Sequence, residues 1–135
     1  MAGIDSIANA GPTGFDALYG LETEHVSGEE VRARVLIDDR HLQPFGIVHG
    51  GLYAAMAESM ASQGTAVGTN GEKFVAGLSN HTSFLRPVSA GDTVTAVAIP
   101  KHRGRTTWVW EVDIQTSANK PCALARVTIA VRDPD

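Results

Sequence analysis

The sequence predicts an α+β fold in which a curved antiparallel sheet wraps around one long central helix. The stretch from Val48 to Ser62 predicts the first four turns of a long helix, since its run from Leu52 to Met60 is dense in good helix formers. The turn signal Thr69-Asn70-Gly71 ends this helix after about twenty residues. Segments on both sides of the run alternate apolar and polar residues with the period of half-buried strands. Short turns between strands favour antiparallel neighbours, and one helix is available to cover them.

Length and composition limit the function. The 135 residues suit one domain, and we predict a flexible tail over residues 1–12 and a single domain over residues 13–135. The net charge of −4 without a basic run argues against a nucleic-acid surface or an anionic membrane as partner. Cys122 is the only cysteine, which excludes internal disulfides and cysteine-based zinc sites. With no signal-peptide pattern and no membrane-spanning run, a cytoplasmic protein is expected.

Three elements are predicted before the helix. Residues 14–19 suit a short helix capped by Thr13. Residues 21–26 and 30–37 are predicted to pair as a hairpin across Ser27-Gly28. A loop over residues 38–47, broken by proline and glycine, then delivers Gln43 and His49 to the start of the long helix.

After the helix, four strand-like runs predict an antiparallel meander. The clearest period lies in residues 105–116, where Trp108 and Trp110 belong to the apolar face. The four predicted strands span residues 74–86, 93–100, 105–116 and a last run ending at Arg132, with a hairpin tip at residues 101–104. A single helix leaves one sheet edge or face open, which favours a dimer.

The two faces of the long helix differ in chemistry. One face carries large apolar residues and is predicted to be core: Leu52, Tyr53, Met56, Met60 and Val67. The other is a stripe of small residues with one carboxylate: Gly51, Ala54, Glu58, Ser62 and Thr65. A lone helix glutamate is most often a solvated surface group. The alternative is a carboxylate in a crevice, below helix N–H groups that Gly50 and Gly51 leave uncovered.

The motifs of this chain resemble those of the hotdog-fold acyl-CoA thioesterases. The resemblance rests on Gln43, on the run Gly46-Ile47-Val48-His49-Gly50-Gly51 and on Glu58 nine residues after His49. Later segments, Ser79 to Val88, Thr106 to Trp110 and Ile129 to Arg132, are similar as well. Within the family, the chain resembles the glutamate class typified by bacterial 4-hydroxybenzoyl-CoA thioesterase. This resemblance implies the hotdog fold.

The resemblance also implies roles for five residues. The Gly50 N–H, with Gln43 nearby, would bind the thioester carbonyl oxygen. Glu58, contributed by the partner subunit, would attack the carbonyl carbon or activate a water. Ser62 would hold the carboxylate or the water through its hydroxyl. His49 would support the loop that carries Gln43.

Coenzyme A brings phosphate charges that need local cations. The candidates are Arg86, Arg103, Arg105 and the Thr106 hydroxyl. No metal and no cofactor is implied, since CoA is part of the substrate. The family implies a homodimer or a dimer-of-dimers tetramer with active sites at the dimer interface.

Several hypotheses follow from these observations. The first is a hydrolase of an aromatic acyl-CoA, such as 4-hydroxybenzoyl-CoA in the degradation of aromatic compounds. A thioesterase for another aryl-CoA or for dihydroxynaphthoyl-CoA is the main alternative. An acyl-CoA hydratase that pairs His49 with Glu58, and a non-catalytic acyl-CoA binding module, are the others.

Overall fold

The computed structural model describes residues 11–135, so the predicted tail over residues 1–12 lies outside the described residues except for its last two. Residues 11–135 form two helices and six strands, with one 3-10 turn between β2 and α2. They are α1 (Gly14–Tyr19), β1 (Glu22–Val26), β2 (Val31–Leu36), the 3-10 turn (Asp39–His41), α2 (Gly50–Gly68), β3 (Phe74–Phe84), β4 (Thr93–Arg103), β5 (Thr107–Gln115) and β6 (Pro121–Arg132).

The six strands form one sheet in the order β1-β2-β4-β5-β6-β3, and every neighbouring pair is antiparallel. Helix α2 packs against all six strands. The predicted fold, one long helix held by an antiparallel sheet, is therefore confirmed. The hairpin of β1 and β2 is confirmed as well, with Val26 opposite Val31.

The predicted meander is wrong in one respect, because β3 does not pair with β4. It pairs with β6 at the far edge of the sheet, with Phe74 opposite Arg132 and Phe84 opposite Ala123. Residues 85–92 connect β3 to β4. At about 3.3 Å per residue they reach roughly 26 Å, more than the roughly 14 Å of three strand spacings. This connection is therefore long enough to cross the sheet. As a result, β3 is an edge strand with one side unpaired within residues 11–135.

The core lies between α2 and one face of the sheet. Strand β5 supplies Trp108, Trp110, Val112 and Ile114, each at most 5% exposed, as the alternation predicts. The Trp110 indole N–H donates to the Thr65 hydroxyl over 2.9 Å. Thr65 is thus a core residue and not part of the exposed small-residue stripe, because the buried indole N–H needs an acceptor.

One helix cap and one strand boundary also differ from the prediction. Helix α1 begins at Gly14 as expected, but the Thr13 side chain makes no capping hydrogen bond. Strand β4 continues to Arg103, so the tip of the β4–β5 hairpin lies at residues 104–106 and not at residues 101–104. The β4–β5 pairing holds this extension, since Arg103 lies opposite Trp108.

We expect Gly64→Ala to lower the free energy of unfolding by about 1–3 kcal/mol, the usual cost of overpacking a core. A methyl group at this position lies 2.4 Å from the Trp110 ring and 2.9 Å from Val31. Chemical denaturation measures the effect, and Gln63→Ala, on the half-buried side of the same helix, is the control. Equal stabilities of the two variants would contradict the tight packing.

Candidate active site

The N-terminus of α2 is fixed by residues on both sides of it. The His49 ring caps the helix, because its Nδ1 atom accepts the Gly51 N–H over 2.8 Å. The backbone of His49 donates to the His41 carbonyl, and that of Val48 donates to the Val88 carbonyl. The His49 ring thus caps α2, and its role in supporting the loop that carries Gln43 stays a prediction. Its Nδ1 atom is occupied, so a pairing of His49 with Glu58, as in the hydratase hypothesis, is left to the Nε2 atom.

A cavity of about 440 Å³ lies in front of this helix start. Gly50 and Gln43 both line it, as does Arg86, which is exposed to solvent. Gln43 sits in a tight turn, since its backbone bonds with those of Gly46 and Ile47. The Phe45 N–H donates to the Gln43 side-chain oxygen, so the amide nitrogen stays available as a donor.

Tyr53 also lines this cavity. Its side chain is 3% exposed, and its hydroxyl makes no hydrogen bond with any described residue. Burial raises the pKa of Tyr53, with smaller contributions from Cys122 and Asp92. Cys122 itself is fully buried, as the interpretation of a small core residue predicts.

Glu58 faces a second cavity, of about 490 Å³. The cavity is lined by Phe15, Ala54, Ala55, Glu58, Ser59, Asn80, Thr82 and Phe84. The Glu58 side chain is exposed and forms no ion pair within residues 11–135. It is therefore neither buried against a cation nor consumed by a structural hydrogen bond.

Strand β3 supports the turn of α2 that carries Glu58. The Asn80 amide donates to the Ala54 carbonyl over 2.9 Å, and the Thr82 hydroxyl donates to the Asn80 side-chain oxygen over 2.7 Å. At Gly77 a methyl group would lie 3.0 Å from the Glu58 carboxyl carbon. The pairing of β3 with β6 shifts register between Gly77 and Ser79, and such bulges often adjust strands beside functional sites.

Within one chain, Gly50 and Glu58 are too far apart to contact the same small chemical group. Eight residues of helix separate Gly50 from Glu58 by about 12 Å. Phe84 lines both cavities, and its ring lies 2.6 Å from the position of a Cβ atom on Gly50. The ring thus stands between the helix start and the carboxylate.

The other predicted site residues are spread more widely. Arg103 lies over the Trp108 ring at 5.6 Å and donates to the Gly28 carbonyl. Thr106 uses its carbonyl oxygen to accept from Arg132 and from the Val131 N–H, and Arg105 is exposed beside it. Arg103 lies on β4, three strands away from β3, whereas Thr106 is bonded to β6, the neighbour of β3. None of the three candidates lines either cavity.

Ser62 does not line the Glu58 cavity, whereas the neighbouring Ser59 does. Sequence analysis did not select Ser59, Asn80, Thr82, Phe84 or Phe15. Helical spacing pointed to Ser62, one turn beyond Glu58. The contributions of β3 and α1 depend on tertiary placement. The motif Ser79 to Val88 gave a signal for β3, and no motif pointed to α1.

A family model described as "Thioesterase superfamily" matches residues 45–123. This match covers more than half of the chain and includes Gly50, Glu58, Asn80 and Phe84. The chain belongs to the thioesterase superfamily. The prediction that it is an acyl-CoA thioesterase is confirmed at the level of this family.

Similar proteins agree with this assignment. The 1,4-dihydroxy-2-naphthoyl-CoA hydrolase of Escherichia coli is 33% identical over 111 residues, which cover 82% of this chain and 81% of the relative. The proofreading thioesterase EntH of Cronobacter turicensis is 34% identical over 112 residues, covering 83% and 81%. A solved structure of a Haemophilus influenzae thioesterase has a TM-score of 0.86 at 32% identity, covering 98% and 92%.

Residues 11–135 contain no group of three or more histidine, cysteine or acidic side chains placed to hold a metal ion. Within the same range, no helix is long and apolar enough to cross a membrane.

Proposed function

We propose that this thioesterase hydrolyses an aromatic acyl-CoA, 4-hydroxybenzoyl-CoA or a close relative, to the free carboxylic acid and CoA. The observation that carries the proposal is the placement of two complementary groups on α2. Gly50 offers a helix N-terminal N–H to one cavity, and Glu58 offers an unpaired carboxylate to another cavity that is walled by two phenylalanine rings.

The proposal places each active site between two protomers. Within β3, Gly77 lies beside Glu58 and Phe84 lies against Gly50. If the β3 edges of two copies pair antiparallel about a two-fold axis near Asn80, Gly77 of one copy faces Phe84 of the other. The partner's Glu58 then comes close to Gly50. Exposed Phe74 and Leu78, each 57% accessible on this edge, give such pairing an apolar contribution.

The chemistry follows from these groups. The Gly50 N–H and the Gln43 amide donate to the thioester oxygen and stabilise the negative charge that develops on it. In one route, the partner's Glu58 removes a proton from a water molecule while that water attacks the carbonyl carbon. In the other, the Glu58 carboxylate itself attacks the carbonyl carbon and forms an anhydride, which water then hydrolyses. In both routes the C–S bond breaks, and the CoA thiolate takes up a proton. Ser62 would hold the water or the carboxylate from one helical turn away.

Arg86 is our candidate for a CoA phosphate, because it is exposed at the rim of the Gly50 cavity. Arg103, Arg105 and Thr106 remain candidates only for a distal part of CoA, because none of them lines either cavity. The relatives named 1,4-dihydroxy-2-naphthoyl-CoA hydrolase support the two-ring alternative for the acyl group.

The test is thiol release, followed with a disulfide dye. A panel of 4-hydroxybenzoyl-, benzoyl-, phenylacetyl-, 1,4-dihydroxy-2-naphthoyl- and decanoyl-CoA compares one ring, two rings and an alkyl chain. We expect kcat/KM to be highest for an aryl thioester. Preference for decanoyl-CoA would overturn the aromatic assignment, and loss of enoyl-CoA absorbance without thiol release would favour a hydratase.

We expect Gly77→Ala to lower kcat by up to about tenfold, because the Glu58 carboxyl group must shift by a few tenths of an ångström and a misplacement of about 1 Å costs roughly a hundredfold. The added methyl group pushes on the Glu58 carboxyl group, 3.0 Å away. Ser79→Ala, at an exposed position of the same strand, is the control. Steady-state kinetics with matched unfolding curves measure the effect. Unchanged kcat in Gly77→Ala would show that Glu58 does not depend on this contact.

A further inference from the structure

We propose that the Glu58 cavity holds the acyl group, that α1 forms one wall of this cavity, and that Phe15 selects for large, flat acyl groups. This inference rests on the proposed function and deepens it. The relevant observations are the anchoring of α1, the position of Phe15 and the shape of the cavity.

Helix α1 is held in place by side-chain hydrogen bonds. A six-residue helix has little stability of its own, so tertiary contacts decide its position. The Ser59 hydroxyl on α2 donates to Asp16 over 2.6 Å, and the Tyr19 hydroxyl donates to the same oxygen over 2.9 Å. Burial raises the pKa of Tyr19, so its hydroxyl stays protonated and remains a donor.

The C-terminal end of α1 is anchored as well. The His41 Nδ1 atom accepts the Asp38 N–H, so its Nε2–H donates to the Tyr19 carbonyl, over 2.7 Å. Arg40 donates to the Leu18 carbonyl over 2.8 Å. Helix α1 is therefore tied both to α2 and to the loop that leads to the helix start.

This anchoring brings Phe15 to the Glu58 cavity. Ser59, which bonds Asp16, is the residue next to Glu58, and Phe15 precedes Asp16. Phe15 lines the cavity although it is 66% exposed in the single chain. Leu18 is similarly exposed, at 70%, on the same helix, but it does not line this cavity.

The rest of the cavity suits a flat acyl group. Phe84 supplies a second aromatic ring to its wall, and the small residues Ala54 and Ala55 leave room between the rings. Aromatic rings interact favourably with one another in stacked or edge-to-face geometry, beyond the area that they bury. A flat aromatic acyl group thus gains contacts at Phe15 that a short acyl group does not reach.

The test measures binding without hydrolysis. Phenacyl-CoA and acetonyl-CoA are ketone analogues in which a methylene group separates sulfur from the carbonyl, so neither is cleaved. Calorimetry gives both dissociation constants for the wild-type protein and for Phe15→Ala, Leu18→Ala and Asp16→Ala. We expect Phe15→Ala to weaken phenacyl-CoA about tenfold with acetonyl-CoA changed less than twofold. Leu18→Ala should leave both constants unchanged, and Asp16→Ala should reproduce part of the Phe15→Ala effect.

The proposal is overturned by equal weakening of both analogues, by equal effects of Phe15→Ala and Leu18→Ala, or by dissociation of an oligomer by Phe15→Ala in light scattering. Wild-type protein that binds phenacyl-CoA no better than acetonyl-CoA also overturns it. The proposed function is tested separately by thiol release from the wild-type enzyme. The protein can therefore be an active thioesterase and still show that Phe15 has no part in selectivity.

Discussion

Glu58→Ala is expected to lower kcat by about three powers of ten, the scale of losing a positioned general base or nucleophile. The thioester carbonyl can still bind to the Gly50 N–H and Gln43, so KM should change much less than kcat. Thiol release under single-turnover and steady-state conditions separates the two effects. Turnover equal to that of the wild-type protein would remove Glu58 from the mechanism.

This loss should come without loss of folding. Glu58 is exposed and forms no ion pair within the described chain, so its removal breaks no structural contact. Glu72→Ala, at an exposed acidic position after the same helix, is the matched control for charge. A lower unfolding midpoint in Glu58→Ala alone would mean that part of the activity loss reflects stability.

The sequence was sufficient to predict the helices and strands, including the long helix α2 that organises the site. Alternation along β5 predicted its buried face correctly, because one face of the strand packs on α2 and the other does not. The start and end of α2 were also predicted correctly. Gly50 and Gly51 mark its beginning, and the turn at residues 69–71 follows its last residue, Gly68.

Long-range placement was the part that local patterns could not determine. The residues between β3 and β4 have turn chemistry, but such chemistry fits a hairpin and a crossing connection equally well. Thr65 lies on the small-residue stripe of the helical wheel, yet it is a core residue, because its hydroxyl accepts a hydrogen bond from the Trp110 indole of β5. Phe15 gave no signal, because its position follows from the bond between Asp16 and Ser59, residues that are 43 apart in sequence.

A mixture of two inactive variants should regain activity if each site joins groups from two protomers. Glu58→Ala keeps the Gly50 half of the site, and Gln43→Ala keeps the Glu58 half. In a mixed dimer one of the two sites has both groups intact. After random exchange about half of the dimers are mixed, so the activity should reach about a quarter of the wild-type value.

The geometry makes this outcome specific. Gly50 and Glu58 of one chain are about 12 Å apart along α2, and the Phe84 ring lies between their cavities. If each site were built within one chain, no mixed dimer would contain an intact site. The activity of the mixture would then stay at the mean of the activities of the two variants. The measurement is thiol release from an aryl-CoA after the variants are unfolded together and refolded. Wild-type protein treated in the same way, and each variant refolded alone, are the controls. Activity above the mean of the variants requires the partner's Glu58 to act beside Gly50, as pairing of two β3 edges would bring about.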